Sequence, residues 1–267
     1  MSDFLQTMAE ASAERAARVD TRLQSTSFDK PVVPLSLGGF DVIAEIKDRS
    51  PSEGDLAAPN RGRVEQARCY VEGGAAAISV LTEPSRFAGS LEHLEDVVTA
   101  VPGTPVMRKD FLVDPVQVLE ARAAGASGVL LIVTMLEDSR LRDMLDCVLE
   151  QGMFALLESF DKADLERTSE LLETTAYSDM AERGQLLTGV NTRNLRTLNV
   201  DSDRLEKLVP ALPATRCVAE SGLHSAADAA AVAALGYSLA LVGTALMRSA
   251  DPAALVAAMR SAGAAVA

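Results

Sequence analysis

Five short stretches set acids, amines and an amide where apolar runs end: Glu45-Ile46-Lys47, Arg108-Lys109, Leu157-Glu158, Asn191-Thr192-Arg193 and Glu220-Ser221-Gly222. The chain has five lysines (Lys30, Lys47, Lys109, Lys162 and Lys207), and two of them fall at such ends. A lone charge there is ordinarily a solvated rim residue or a structural ion pair. Brought together, Glu45, Glu158 and Glu220 would face Lys47, Lys109 and Arg193. Balanced charges can be tolerated out of water, whereas an unpaired one is costly. Interleaved acids and bases also push pKa values apart, which suits general acid–base catalysis. A lysine among other cations and apolar walls is expected to have its pKa lowered toward neutrality, making it a usable acid. Gly222 and Gly243, with Thr244, Ser50 and Lys47, suggest a phosphate, because small residues let backbone N–H groups approach an anion.

Such a set can converge only if the elements carrying it form a ring. The strand candidates are 41–46, 76–81, 105–109, 129–133, 154–158, 186–190, 216–219 and 239–242. Each is followed by a segment long enough for a helix, and that alternation favours a parallel sheet with helices outside. Eight such units in 267 residues predict a single-domain α/β protein, a (β/α)8 TIM barrel over residues 40–260. Side chains alternate along a strand, so Glu45 and Lys47 share a face while Ala44 and Ile46 point to the helices. Asp114-Pro115 and Asp251-Pro252 read as capped helix starts, Ser225 with Asp228 as a capping-box variant, and Gly125 and Gly236 as helix stops. Residues 1–25 add an extra N-terminal helix, read over 2–25, with Phe4, Leu5 and Met8 on one side; it is expected to plug or cover the barrel.

Composition narrows the function. A net charge of −13 argues against a nucleic-acid partner, since phosphate backbones attract basic faces. Three widely spaced cysteines (Cys69, Cys147, Cys217) and two histidines (His93, His224) assemble neither a disulfide framework nor a zinc site, so no metal is expected. No signal-peptide pattern and no apolar run of membrane-spanning length is seen, so a cytoplasmic protein without a membrane partner is expected.

The segment Ile43-Ala44-Glu45-Ile46-Lys47-Asp48-Arg49-Ser50-Pro51-Ser52 resembles the signature of the indole-3-glycerol phosphate synthase family. So do Arg108-Lys109-Asp110-Phe111, Leu157-Glu158, Val190-Asn191-Thr192-Arg193-Asn194-Leu195, Ala219-Glu220-Ser221-Gly222 and Val242-Gly243-Thr244-Ala245-Leu246-Met247, in family order. The resemblance implies ring closure, decarboxylation and dehydration of 1-(2-carboxyphenylamino)-1-deoxyribulose 5-phosphate, with no cofactor. It implies Lys109 as the general acid on the ribulose carbonyl oxygen, Glu158 as its proton-transfer partner in dehydration, and Lys47 as a second acid. Which lysine serves which step stays open. Glu45 would hold the lysines and substrate hydroxyls, Asn191 and Arg193 would engage the substrate carboxylate, and Glu220 and Ser221 would contact the ribulose chain. Ser50, Gly222, Gly243 and Thr244, with Lys47, would bind phosphate. Pro51, Phe87, Phe111, Leu130 and Ile132 would wall the aromatic ring.

Three positions depart from the family pattern: Asp48 where a basic residue is common, Phe160 where a histidine is common, and Thr244 beside Gly243. Asp48 should face away from Lys47 as a surface change. The alternatives are another phosphate-binding barrel, such as a sugar-phosphate isomerase or a duplicated relative with a shifted substrate, and a non-catalytic ligand sensor. The isomerases carry an aspartate or cysteine where Glu45-Ile46-Lys47 stands, and a sensor would have lost a catalytic lysine or glutamate. The expected partner is a small phosphorylated substrate, and the protein is expected to be a monomer or weak homo-oligomer.

Overall fold

The computed structural model describes residues 3–20, 22–23, 28–56, 61–193, 199–201 and 203–266. Eight parallel strands close into a barrel: β1 (Asp41–Ile46), β2 (Ala77–Leu81), β3 (Val106–Lys109), β4 (Gly128–Ile132), β5 (Phe154–Ser159), β6 (Leu186–Asn191), β7 (Arg216–Glu220) and β8 (Leu239–Val242). Each boundary lies within one residue of the strand read from the sequence. Closure comes from β1, which pairs with β2 through Ile43↔Ala77 and with β8 through Asp41↔Leu239. Val42, Ala44 and Ile46 are buried toward the helices, while Ile43 and Glu45 point into the barrel, as the alternation required.

The helix punctuation holds. Asp114 caps helix Pro115–Ala124 in a capping box with Gln117, and Gly125 ends it with φ 97°. Ser225 and Asp228 form the second box, on helix Ala226–Ala234, and Asp251 accepts a hydrogen bond from the Ala254 N–H at the start of helix Pro252–Ala264. Oxygens at these caps satisfy N–H groups that a helix start leaves without partners.

The N-terminal helix α1 (Asp3–Ala16) is shorter than the 2–25 read from the sequence. After Ala16 the hydrogen bonds tighten to Arg18 N–H→Arg15 O and Val19 N–H→Ala16 O, and Val19-Asp20 are weak helix formers. Leu5 and Met8 are buried, and Phe4 meets Phe111 edge-on at 5.9 Å. Arg15 donates to Asp110 at 2.6 Å, and Gln117 donates to Ser12 at 2.9 Å. These contacts hold α1 across the end of the barrel where the strands stop, the cover that its apolar face predicted. Among the described residues no helix is long and apolar enough to cross a membrane.

Candidate active site

A cavity of about 360 Å³ opens at the carboxyl ends of the strands, where barrels of this class place their chemistry. Lys109, ending β3, stands at its centre. Its Nζ is 3.2 Å from Glu158 on β5, 3.7 Å from Glu220 on β7 and 4.0 Å from Glu45 on β1. Lys47 continues β1 on the same face and pairs with Glu45 at 2.9 Å. Strand period alone aligns Glu45 with Lys47; only closure of the barrel brings Glu158 and Glu220 to Lys109.

The electrostatics differ from the sequence expectation in one respect. Lys109 faces the three glutamates as expected, but its pKa is not lowered toward neutrality. Burial opposes its charge, but Glu158, Glu220 and Glu45 outweigh burial and hold the ammonium form well above the ordinary lysine range. Burial likewise opposes ionisation of Glu45, yet Lys47 and Lys109 keep its carboxyl below the usual value, with Arg193 assisting. Glu220 is the reverse case. Burial, then the neighbouring charge of Glu158, pushes its carboxyl well above the usual range, and Lys109 offsets this only in part. Both Glu220 oxygens are closed to solvent and lack a hydrogen-bond donor among the described residues. Glu220 nevertheless lines the cavity into which its expected contact with the ribulose chain would reach.

Two glycines make this crowding possible. Gly189 on β6 points inward beside Glu220, and a Cβ there would overlap the Glu220 carboxylate. A Cβ on Gly243, just beyond β8, would run into Glu45 Oε1 and lie 3.0 Å from Lys47 Nζ. Gly243 was singled out as a phosphate contact; the packing adds that it makes room for the Glu45–Lys47 pair. Gly189 was missed, because a glycine inside a strand has no chemistry of its own to signal a buried acid next door.

The remaining expected residues surround this centre. Asn191 Oδ1 accepts hydrogen bonds from the Arg193 N–H and the Ser221 hydroxyl, both at 2.9 Å, leaving its amide nitrogen as the group able to donate to a ligand. Ser221 has φ 70° and Gly222 φ 75°. A left-handed serine is uncommon, and its hydrogen bond to Asn191 helps hold the turn that carries both residues into the cavity. Ser50, Gly222, Gly243 and Thr244 line the cavity, and the N–H groups that open helix Thr244–Arg248 have no side-chain cap. Pro51, Phe87, Phe111, Leu130 and Ile132 also line the cavity, joined by Phe4 from α1. Phe4 was legible only as part of an apolar helix face, and Glu53 and His224, also at the cavity wall, carried no signal. Asn194 and Leu195 of the motif after Arg193 lie outside the described residues.

Of the three departures, Asp48 does face away from Lys47, but it is half-buried rather than a plain surface residue: Arg63 donates to it at 3.0 Å, and His93 stands 4.0 Å away. Phe160 donates its backbone N–H to Asp164 at 2.9 Å, and its ring packs against the core. Thr244 lines the cavity.

Fold and site together define a (β/α)8-barrel protein with a lysine held among carboxylates beside an apolar wall. Residues 5–259 match the family model described as indole-3-glycerol phosphate synthase. A relative of that name from a Nocardioides strain is 46% identical over 238 residues, covering 87% of this chain and 86% of its own. One from Opitutus terrae is 41% identical over 229 residues, covering 84% and 81%. The chain belongs to the indole-3-glycerol phosphate synthase family. Among solved structures, 3-hexulose-6-phosphate synthase from Salmonella typhimurium superposes with a TM-score of 0.63 at 16% identity, covering 85% of this chain and all of its own, a likeness of fold alone.

Proposed function

We propose that the cavity binds 1-(2-carboxyphenylamino)-1-deoxyribulose 5-phosphate and closes it to indole-3-glycerol phosphate, releasing carbon dioxide and water. The family's activity is that of a carboxy-lyase of tryptophan biosynthesis. Lys109, held charged by its carboxylates, is the acid that protonates the ribulose carbonyl oxygen while the aromatic carbon attacks it. The electron pair of the departing carboxylate passes into the ring-closed iminium, so decarboxylation needs no further electron sink. Glu158, 3.2 Å from Lys109 Nζ, accepts the proton from the methylene carbon during dehydration. Lys47 serves as the second acid and, with Ser50, Gly222, Gly243 and Thr244, holds the phosphate. Asn191 and Arg193 take the substrate carboxylate. Pro51, Phe87, Phe111, Leu130 and Ile132 enclose the ring. The protein acts in the cytoplasm as a monomer or weak homo-oligomer, without a nucleic-acid partner.

The observation that carries this reading is the position of Lys109, an ammonium paired with Glu158 in a cavity lined both by apolar residues such as Phe87, Phe111 and Leu130 and by small polar ones such as Ser50, Gly243 and Thr244. An acid so placed contributes typically about 10²–10⁴-fold. Adding the carboxyphenylamino-deoxyribulose phosphate should raise indole absorbance and fluorescence catalytically. An isomerase would consume it without an indole signal and a sensor would only saturate, so either result would replace this function.

A further inference from the structure

Glu220 is the group in this site whose surroundings do not match an ionised carboxylate. β1 presents Glu45 and Lys47 to the site, β3 Lys109, β5 Glu158, and the segment after β6 Arg193; His224 stands beyond β7 at the cavity wall. The cations are already engaged. Lys47 lies 2.9 Å from Glu45, and Lys109 hydrogen-bonds Glu158 at 3.2 Å while standing 3.7 Å from Glu220. Glu220 is 1% exposed, and neither of its oxygens receives a hydrogen bond among the described residues. A buried carboxylate without a donor is costly, and a second one alongside raises that cost. Protonation removes both faults, because a carboxylic acid becomes a donor and Glu158 is within its reach.

The reaction proposed above gives that proton a use. The carbonyl oxygen gains one proton on ring closure and a second when it leaves as water. The methylene carbon gives up one proton. The substrate carboxylate leaves as neutral carbon dioxide, so each turnover consumes one proton more than it releases. We propose that Glu220 enters each cycle as a neutral carboxylic acid and supplies this proton through Lys109. Lys109 Nζ donates to the carbonyl oxygen, and the freed nitrogen electron pair takes the proton of Glu220, which becomes a carboxylate. Glu158 receives the methylene proton, Lys47 gives one to the departing hydroxyl, and the two are reset through water, Glu158 releasing its proton and Lys47 regaining one, so that this pair adds nothing to the net count. Water re-protonates Glu220 once the product has left. A neutral Glu220 also removes one of the three charges that hold the proton on Lys109, which makes Lys109 a better acid at neutral pH.

The protonation state is testable without turnover, whereas the proton's destination rests on the proposed reaction. Infrared difference spectra of ligand-free wild type against Glu220→Gln at pH 7 should show a carboxylic C=O band lost in the variant. Loss of carboxylate bands alone overturns the proposal. If the variant does not fold, carbon-13 NMR of labelled glutamate side chains in the wild type answers the same question. One carboxyl should stay protonated at pH 7, and none doing so overturns it. In kinetics, Glu220→Gln should lower kcat at least about 10-fold, because the relay to Lys109 is cut, and leave KM within about twofold. Wild type should lose kcat as rising pH strips Glu220, and the variant should not. A raised KM with kcat intact would make Glu220 a substrate contact instead and overturn the relay. A protonated Glu220 in a protein that makes no indole would refute the reaction and leave the protonation standing. Indole formation with an ionised Glu220 would do the opposite.

Discussion

Two layers of the barrel interior use the same device for different chemistry. In the lower layer Gly128 on β4 omits a side chain so that the buried Phe154 ring of β5 can lie against it. In the upper layer Gly189 on β6 and Gly243 beyond β8 omit theirs so that the carboxylates of Glu220 and Glu45 fit beside Lys109 and Lys47. A missing methyl admits an aromatic ring below and a charged cluster above. The lower layer is filled by apolar burial, worth roughly 1.5–3 kcal/mol for each large side chain. The upper layer gives up that gain and holds buried charges that stabilise one another only while all are present. The two layers should therefore fail differently: damage to the lower one reaches stability alone, while damage to the upper one reaches function and its pH dependence as well as stability.

The comparison can be broken at graded points. Lys109→Ala should cut turnover at least about 10²-fold with the fold retained, checked by steady-state kinetics and circular dichroism. Near-normal turnover would take the acid role away from the cluster. Gly189→Ala should come next, because its methyl must displace the Glu220 carboxylate; kcat is expected to fall by about 10-fold or more, within the range that one acid–base group supplies. Gly243→Asp should raise KM by setting a negative charge beside the phosphate and against Glu45. An unchanged KM would move the phosphate to another part of the wall. Gly128→Ala should cost about 1–3 kcal/mol in denaturant unfolding through overpacking against Phe154, while KM and the pH profile of kcat stay as in the wild type. A changed pH profile would show that the layers are not separable.

The smallest effect is a dependence of stability on pH. The folded-state pKa of Glu220 is raised, so the proton is bound more tightly in the folded protein than in the unfolded chain. Its contribution is fully present below the unfolded value of about 4.3 and is lost as pH rises through the folded pKa. Wild type should therefore lose stability relative to Glu220→Gln between mildly acidic and alkaline pH, measured as a widening gap in Tm. A gap that narrows with rising pH would mean that Glu220 is ionised and well paired.

Much of this protein can be read before any coordinate is known. Alternating apolar segments, the Asp114-Pro115, Ser225/Asp228 and Asp251-Pro252 caps and the period-two step from Glu45 to Lys47 are local properties. Local properties are written in consecutive residues, so the strands and the membership of the site could be anticipated, as could the family. Three things could not. A lysine of the site was expected to have its pKa lowered, and that of Lys109 is raised, because the carboxylates of β1, β5 and β7, which only closure of the barrel brings together, surround it. Gly189 was passed over because its importance lies in the space that it leaves to a side chain 31 residues further on. The protonation of Glu220 depends on burial and on charges from several strands at once, so no stretch of sequence contains it. Sequence alone determined which groups are available and which face of each strand they occupy. The tertiary structure decided which of them share a proton, because Coulomb energies and desolvation follow distance through space rather than separation along the chain.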